Sequence, residues 1–404
     1  MAEGTRVRTH LCGITTAWTE ALDAEAAITE IGAAIGARRV AQVIAFFSAD
    51  YDVETLNRGL IARFPGAGIA GCTMSGGISP AGGLERGLVV IAFPVEGFRI
   101  VSTLLDAIDH LDVERTASSV RALRRSLGST GDEAGADPAS GGRFALSLID
   151  GLANAEETVV SAIAWALDGI PLVGGSAGDD LTFRETVLLH DGRIHQRAAV
   201  LLLVETAFPI QIFKSDNFEP TDTKFVVTAS DDEQRTVHEL NAEPAAREYA
   251  MAVGLDPERL SPMSFAAYPL AVKVGGEYFC RSIRRMNADG SLSFFCAIDE
   301  GVVLTLARPR DIVAATAAEL ARLDADLGGI DLVIGFECVL RRLDAESRQV
   351  RHGIFDLYRR YDIVGFDTYG EQYRSMHLNQ TFTGIAIGRG MAGQDGAGRR
   401  RGAR

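Results

Sequence analysis

AQVIAFFSADYDVETLNRGLIARFPGAGIAG, residues 41–71, reads as strand, helix, strand. AQVIAFFS is β-branched and aromatic, which suits a buried strand. Asp52 stands where a helix N-cap belongs, the helix runs through VETLNRGLIARF, and Pro65-Gly66 stops it. AGIAG then returns as a second strand. The connection is short and both strands are nearly wholly apolar, as expected of parallel strands covered on both faces.

The unit recurs. RFALSLIDG (143–151) is a buried strand, Asn154 with Glu157 makes a capping-box-like start, and the helix EETVVSAIAWAL ends at Asp168-Gly169. IPLVGG (170–175) is the return strand. Gly71 and Gly174 are 103 residues apart, and Val43 and Leu146 in the first strands keep that separation. Each copy is followed by a turn-rich stretch and another strand, GLVVIAF and then AAVLLLV. The pattern is an internal duplication of one α/β unit.

Three times a buried strand ends in a glycine turn: IAGCTMSGG (69–77), LVGGSAG (172–178) and IVGFDTYGE (363–371). Glycine supplies positive φ or close backbone approach at such turns. The third turn also crowds Tyr369, Glu371, Tyr373, Arg374, Met376 and His377 between two strands. In open α/β sheets ligands sit beyond the carboxyl ends of strands, where these turns lie. That placement raises the third turn above ordinary loop chemistry.

At 404 residues the chain has room for two domains. A net charge of −14 argues against nucleic acid as a partner, because phosphate neutralisation needs a positive face. No apolar run approaches the ~18 residues of a membrane helix, and the N-terminal stretch lacks the apolar core of a secretory signal. The expectation is a soluble, cytoplasmic protein with no membrane contact. Five scattered cysteines without a CxxC pair disfavour zinc or redox motifs and point to reduced, mostly buried thiols.

These patterns predict an α/β fold, two-lobed, with mixed sheets, flanking helices and internally duplicated strand–helix–strand units. Residues 1–230 form an N-terminal α/β domain, 231–389 a C-terminal domain, and 390–404 a disordered Gly/Arg tail. LGSTGDEAGADPASGG (127–142) reads as a polar surface linker. Glu243-Pro244 marks a helix start, and DLVIGFECVL reads as a late strand followed by a helix around FDLYRRY. Enzyme readings are poor: the chain has no G-x-S-x-G elbow, Walker loop or H-E-x-x-H, and GGSAGDD lacks the lysine of a phosphate cradle. Asp179-Asp180 reads as a turn-capping pair before it reads as a metal site. Glu371 near His377 resembles half of an acid–base pair without a nucleophile.

IAGCTMSGGI, IPLVGGSAGDDLTF with DGRIHQRAAVLLLV, VHELNAEPAAREY and YGEQY…HLNQT occur in this order along nearly the whole chain. As a set they resemble the FIST family, sensory proteins with a FIST N and a FIST C domain. GFECVLRRL and MHLNQTFTGIAIG look like the family's nitric-oxide-sensing haem branch, NosP. The resemblance implies a haem b sensor that binds nitric oxide and regulates a partner histidine kinase in bacterial two-component signalling. It leaves room for a homo-oligomer. The alternative it implies is a haem-free sensory domain for an amino-acid-like small molecule, with Tyr369, Arg374 and Asp367 reading the ligand's polar ends.

On the haem reading His377 is the first candidate for the iron, since a neutral imidazole on a pinned loop is a usual axial ligand. A turn-ordering hydrogen bond is the plainer role for it. His238, in the strand TVHEL, is the runner-up: alternation places it with Leu240, opposite Val237 and Glu239. Tyr369 and Tyr373 would be pocket walls or donors. Arg341, Arg342 and Arg374 would pair with the propionates, a role that suits a guanidinium fork. Cys338 reads as a buried small hydrophobe.

Overall fold

The computed structural model describes residues 6–128 and 141–390. The segment read as a linker and the Gly/Arg tail lie almost wholly outside the described residues. The first unit runs β1 (Arg6–Thr9), β2 (Thr15–Thr19), α1 (Ala24–Ile35), β3 (Val40–Ser48), α2 (Val53–Arg63) and β4 (Gly68–Met74). A hairpin of β5 (Gly77–Ser79) and β6 (Gly82–Leu84) and then β7 (Leu88–Pro94) complete it. The second unit repeats the order as β8 (Phe98–Leu105), α3 (Val113–Leu127), β9 (Gly142–Ile149), α4 (Glu156–Leu167) and β10 (Leu172–Ser176). Its hairpin is β11 (Leu188–His190) with β12 (Arg193–His195), and its last strand is β13 (Ala199–Thr206).

A third unit opens with β14 (Ile210–Asp216) and is interrupted by an insertion. The insertion holds β15 (Phe218–Asp231), β16 (Thr236–Leu240), β17 (Glu243–Pro244), α5 (Ala245–Val253) and α6 (Pro262–Ala267). It continues through β18 (Leu270–Val274), β19 (Glu277–Arg281), β20 (Ile283–Met286), β21 (Leu292–Phe294) and β22 (Val303–Pro309). The unit resumes with α7 (Ile312–Asp326), β23 (Ile330–Cys338), α8 (Val339–Ser347), α9 (Arg351–Tyr361) and β24 (Ile363–Thr368). The hairpin β25 (Glu371–Tyr373) and β26 (Met376–Leu378) and the strand β27 (Thr381–Gly388) close it.

Three sheets share one strand order: β2-β7-β3-β4, β8-β13-β9-β10 and β14-β27-β23-β24. In each, the strands of the strand–helix–strand motif are parallel and the remaining pairs antiparallel. The unit is therefore built three times. The duplication visible in sequence is two of these copies, and the insertion hides the third by separating β14 from α7.

The hairpins are exchanged in a ring. The β11–β12 hairpin of the second unit extends the first unit's sheet at β4, and β25–β26 of the third extends the second at β10. The β5–β6 hairpin of the first unit extends the third at β24. No unit completes its own sheet.

The inner faces of the three sheets meet in one apolar core, where Phe46 lies 4.5 Å from Phe366 and edge-on to Phe336. Helix pairs cover the outer faces: α1 and α2, α3 and α4, α7 and α9. Both faces being dry explains why the strands lack polar alternation. The insertion has its own core around Phe225, Tyr249, Phe265 and Phe294 beneath an eight-stranded sheet. The molecule is thus a mixed α/β protein with several mixed sheets and flanking helices, and the 230/231 boundary falls at the end of β15.

Three local expectations are corrected. Asn154 and Glu157 form no capping box: Asn154 adopts a left-handed φ of 53°, Ala155 is the N-cap without a side-chain bond, and Glu157 turns to Arg235 instead. The strand read through Leu340 stops at Cys338, where Val339 begins α8. His238 does not share a buried face with Leu240. The β15–β16 pairing skips it, leaving His238 as the extra residue of a β-bulge, and it is exposed while Val237 and Leu240 are both buried. Asp52 does cap α2 by accepting from the Thr55 amide, and all five cysteines are buried free thiols. Among the described residues no helix is long and apolar enough to cross a membrane.

Candidate functional site

The three glycine turns converge. The Ser75 amide donates to the Asp367 carbonyl and the Asp367 amide to Gly76; the Ser176 amide donates to Gly370 and the Tyr369 amide to Ser176. The Gly178 amide closes the circuit on the Thr73 carbonyl. Arg342, from α8, ties all three ends: it donates to the Ser75 carbonyl and lies 3.1 Å from Asp180 and 3.4 Å from Asp367. Burial opposes its charge, but Asp367 and Asp180 outweigh that and hold its guanidinium above the usual range. Asp367 is enclosed, and burial pushes its carboxyl up to about 7 against the pull of Arg342.

The second turn continues into a loop organised by one carboxylate. Asp179 accepts from the Thr182 hydroxyl (2.6 Å), from the amides of Phe183, Arg184 and Glu185, and from the Tyr369 hydroxyl. Burial opposes ionisation of Asp179, yet the Thr182 and Tyr369 hydroxyls and these amides together hold it below the usual carboxylate range. The pair read from sequence as turn-capping is, at Asp179, such a cap. The loop also bends three non-glycine residues into left-handed backbone: Asp180, Leu181 and Phe183, at φ 54°, 63° and 52°. Such conformations are costly outside glycine, so the surrounding contacts must hold them.

What the loop gains is a placed aromatic ring. Phe183 stacks on Tyr369 with centroids 4.9 Å apart, and Phe295 of the insertion stands 6.2 Å from Phe183. The Tyr369 hydroxyl also accepts the Leu181 amide at 2.7 Å, which locks the ring's tilt. Across the joint, β20 sets the Arg284 guanidinium 4.1 Å over the Phe183 ring. Arg284 is half-buried and makes no hydrogen bond or ion pair among the described residues. Burial and the adjacent Arg285 lower its pKa, against weaker pulls from Tyr369 and Asp179. A desolvated cation on an aromatic wall, without a carboxylate of its own, is built to receive an anion.

His377 lies on the other side of the third turn. It is 3% exposed, and neither ring nitrogen has a partner. The ring rests on Gly370, where an added Cβ would stand 2.2 Å from Cε1, so only glycine allows this seat. Burial lowers its pKa, and Glu157 and Glu156 resist that only in part. These two carboxylates begin α4 and are each bridged by Arg235 at 2.6 Å. Arg281 of the insertion donates to the His377 carbonyl at 3.3 Å, so the hairpin is clasped between the α4 N-terminus and the inserted sheet.

The remaining sequence candidates do not gather around His377. Arg341 is fully enclosed and spent on Glu337 (3.0 Å), Asn217 and the Thr316 hydroxyl. Arg342 serves the strand ends. Arg374 is at the hairpin tip with a left-handed φ of 56°, its guanidinium over Tyr373. Tyr369 is committed to Asp179 and Leu181. His238 is exposed on the inserted sheet. Glu371 forms no pair with His377: cross-strand register matches His377 with Gln372, so Glu371 occupies the opposite face, bonded to Thr368 and Thr381. Cys338 is buried near Tyr369, with its thiol pushed well above the ordinary range by burial.

The residues nominated for haem therefore do not converge on one site. The cations assigned to the propionates are internal or at the hairpin tip, and His377 faces a glycine and two acids. Phe183, Arg284 and Phe295 were missed in sequence. Their one legible trace is DDLTF directly after the second glycine turn, since nothing near Arg284 marks it as different from Arg285.

Three α/β units whose strand ends converge under an inserted sheet, with an unpaired cation at the joint, define an α/β recognition module. Residues 41–243 match the FIST N domain and residues 245–374 the FIST C domain, so the chain belongs to the FIST family. The division falls between β17 and α5, inside the inserted sheet. FIST domains are sensory domains of signal transduction that bind small ligands. A stretch of 118 residues, 29% of this chain, is 28% identical to an uncharacterized protein of Methanocaldococcus jannaschii, and the match spans 20% of that protein's length.

Proposed function

We propose that this protein senses a small carboxylate-bearing molecule held between the inserted sheet and the converged strand ends. The observation that carries this reading is Arg284: half-buried, stacked on Phe183 and without an anionic partner. Phe183 and Phe295 supply the apolar walls, and Tyr369 with Asp179 fixes the loop beneath them. The site's two sides belong to bodies joined at Asp216–Phe218 and Pro309–Ile312. A ligand that bridges them favours their closed arrangement, which is how binding would become a signal. A thermal-shift screen of small carboxylates against their neutral amides tests the reading. The acids should raise the melting temperature of the wild type and leave Arg284→Ala unmoved.

A second reading, a haem b sensor of nitric oxide acting on a histidine kinase, rests on the sequence resemblance and on one observation. His377 is a buried imidazole with two unpartnered nitrogens. The cations beside it are engaged, Arg235 with Glu156 and Glu157 and Arg281 with the His377 carbonyl. Haem titration followed by visible spectroscopy separates the readings: a Soret band that saturates near one equivalent and falls in His377→Ala supports the second.

A further inference from the structure

The second unit's sheet runs β26-β25-β10-β9-β13-β8, with an exchanged hairpin at one end and β8 at the other. β8 pairs with β13 along its whole length, and among the described residues no strand takes its other edge. Alternate residues of an end strand point their amides and carbonyls outward, away from the pairing strand. The strands holding the same place in the other two units are covered. β2 has β1 along it and is buried at every residue. β14 has the inserted sheet beside it, with the Lys214 ammonium 3.9 Å from Glu277 and 4.8 Å from the Phe279 ring centroid. β8 is half-buried from Ile100 to Leu104.

Free edges are ordinarily blunted by charge, by shortness or by cover. The end strands β1, β12, β19 and β20 carry charged residues, and β6 and β26 are three residues long. β8 has none of these protections: Ile100-Val101-Ser102-Thr103-Leu104 is uncharged and rich in β-branched residues. Its one charge, Arg99, is turned back to the Ser126 carbonyl at 3.2 Å. The same run names its occupant. Two copies related by a two-fold axis at Ser102 set Ile100 against Leu104 and Val101 against Thr103, with no charge facing a charge. An antiparallel neighbour is also what β1 is to β2 at the equivalent edge. We infer that β8 is a self-association edge, where a second copy of this chain pairs antiparallel and joins the two six-stranded sheets into one. The edge lies at the opposite end of its sheet from the His377 hairpin and shares no residue with the Arg284 joint, so its test is independent of both ligand readings.

A single strand pair is a small interface, and the −14 charge of each copy opposes it, so the association should be weak and is best read in about 0.3 M salt. Sedimentation equilibrium of the full chain from about 1 to about 200 µM should show monomer and dimer in exchange. Thr103→Lys places a charge beside the uncharged run of each copy and should weaken association at least about tenfold at unchanged melting temperature. Hydrogen exchange of the wild type gives a readout that needs no variant. The β8 amides should exchange more slowly at the high concentration than at the low, and those of β1 alike at both. The inference is overturned if the wild type stays monomeric throughout, if Thr103→Lys folds and associates as the wild type does, or if β8 exchange is independent of concentration.

Discussion

The Arg284 guanidinium lies 4.1 Å over the ring of Phe183, and the two residues come from different bodies of the molecule. Phe183 stands on the loop after the second unit's glycine turn, Arg284 on the inserted sheet. Their contact joins a strained loop to an unpaired charge, and neither would be placed without the other's element. The recognition proposed above follows from that juxtaposition.

Tyr369→Phe removes one hydroxyl that serves both Asp179 and the Leu181 amide. Leaving that amide unpaired should cost about 1–3 kcal/mol. Phe183 should also lose its fixed tilt. Chemical denaturation reads the first effect, and weaker carboxylate binding at unchanged fold reads the second.

Gly370→Ala places a methyl where the His377 ring sits, and the hairpin cannot retreat from the α4 N-terminus. The substitution should destabilise by about 1–3 kcal/mol. In the double variant Gly370→Ala/His377→Ala the clash partner is gone, so the two effects should be clearly non-additive in a denaturation cycle. Additive losses would place the strain elsewhere.

Buried acids should make the protein less stable as pH rises from the ordinary carboxylate range to about 8. Asp367 and Glu371 have carboxyls raised by burial to about 7 and about 8. The folded state holds these protons more tightly than the unfolded chain, so their stabilisation is full below the ordinary carboxylate range. It is lost as pH rises through those raised values. Asp179, depressed by its donors, acts oppositely and loses its contribution only as pH falls through its lowered value. Melting temperature should therefore decline from pH 5.5 to pH 8.5. Glu371→Gln, which mimics the protonated acid, should flatten that decline.

The local α/β units were legible because each is a contiguous run: residues 41–71 and 143–175 carry their own helix and return strand, the first with its cap. Asp52 behaves as its position implied, and Asp179 proves to be a turn cap. The exchanged hairpins were not legible, because pairs such as Gly71 with Leu189 or Gly365 with Ile78 join segments far apart in sequence. The third unit was legible as a late strand, a helix and a glycine turn but not as a copy of the other two, since the insertion splits it. At the site, Tyr369 and Asp367 were in view but their partners were not. Arg341 was read as a propionate partner and is internal, where Glu337, Asn217 and Thr316 neutralise and bond it. Arg284 and Arg285 are indistinguishable in sequence, and only the pleat of β20 turns one toward Phe183.

That distinction supplies the most direct measurement. Titration calorimetry with the best-stabilising carboxylate from the screen compares the wild type with Arg284→Ala and with Arg285→Ala, the exposed neighbour. Losing a charge-assisted contact of about 2 kcal/mol should weaken binding roughly 30-fold in Arg284→Ala and leave Arg285→Ala close to the wild type. Equal affinity in wild type and Arg284→Ala, or equal losses in both variants, would contradict recognition at this joint.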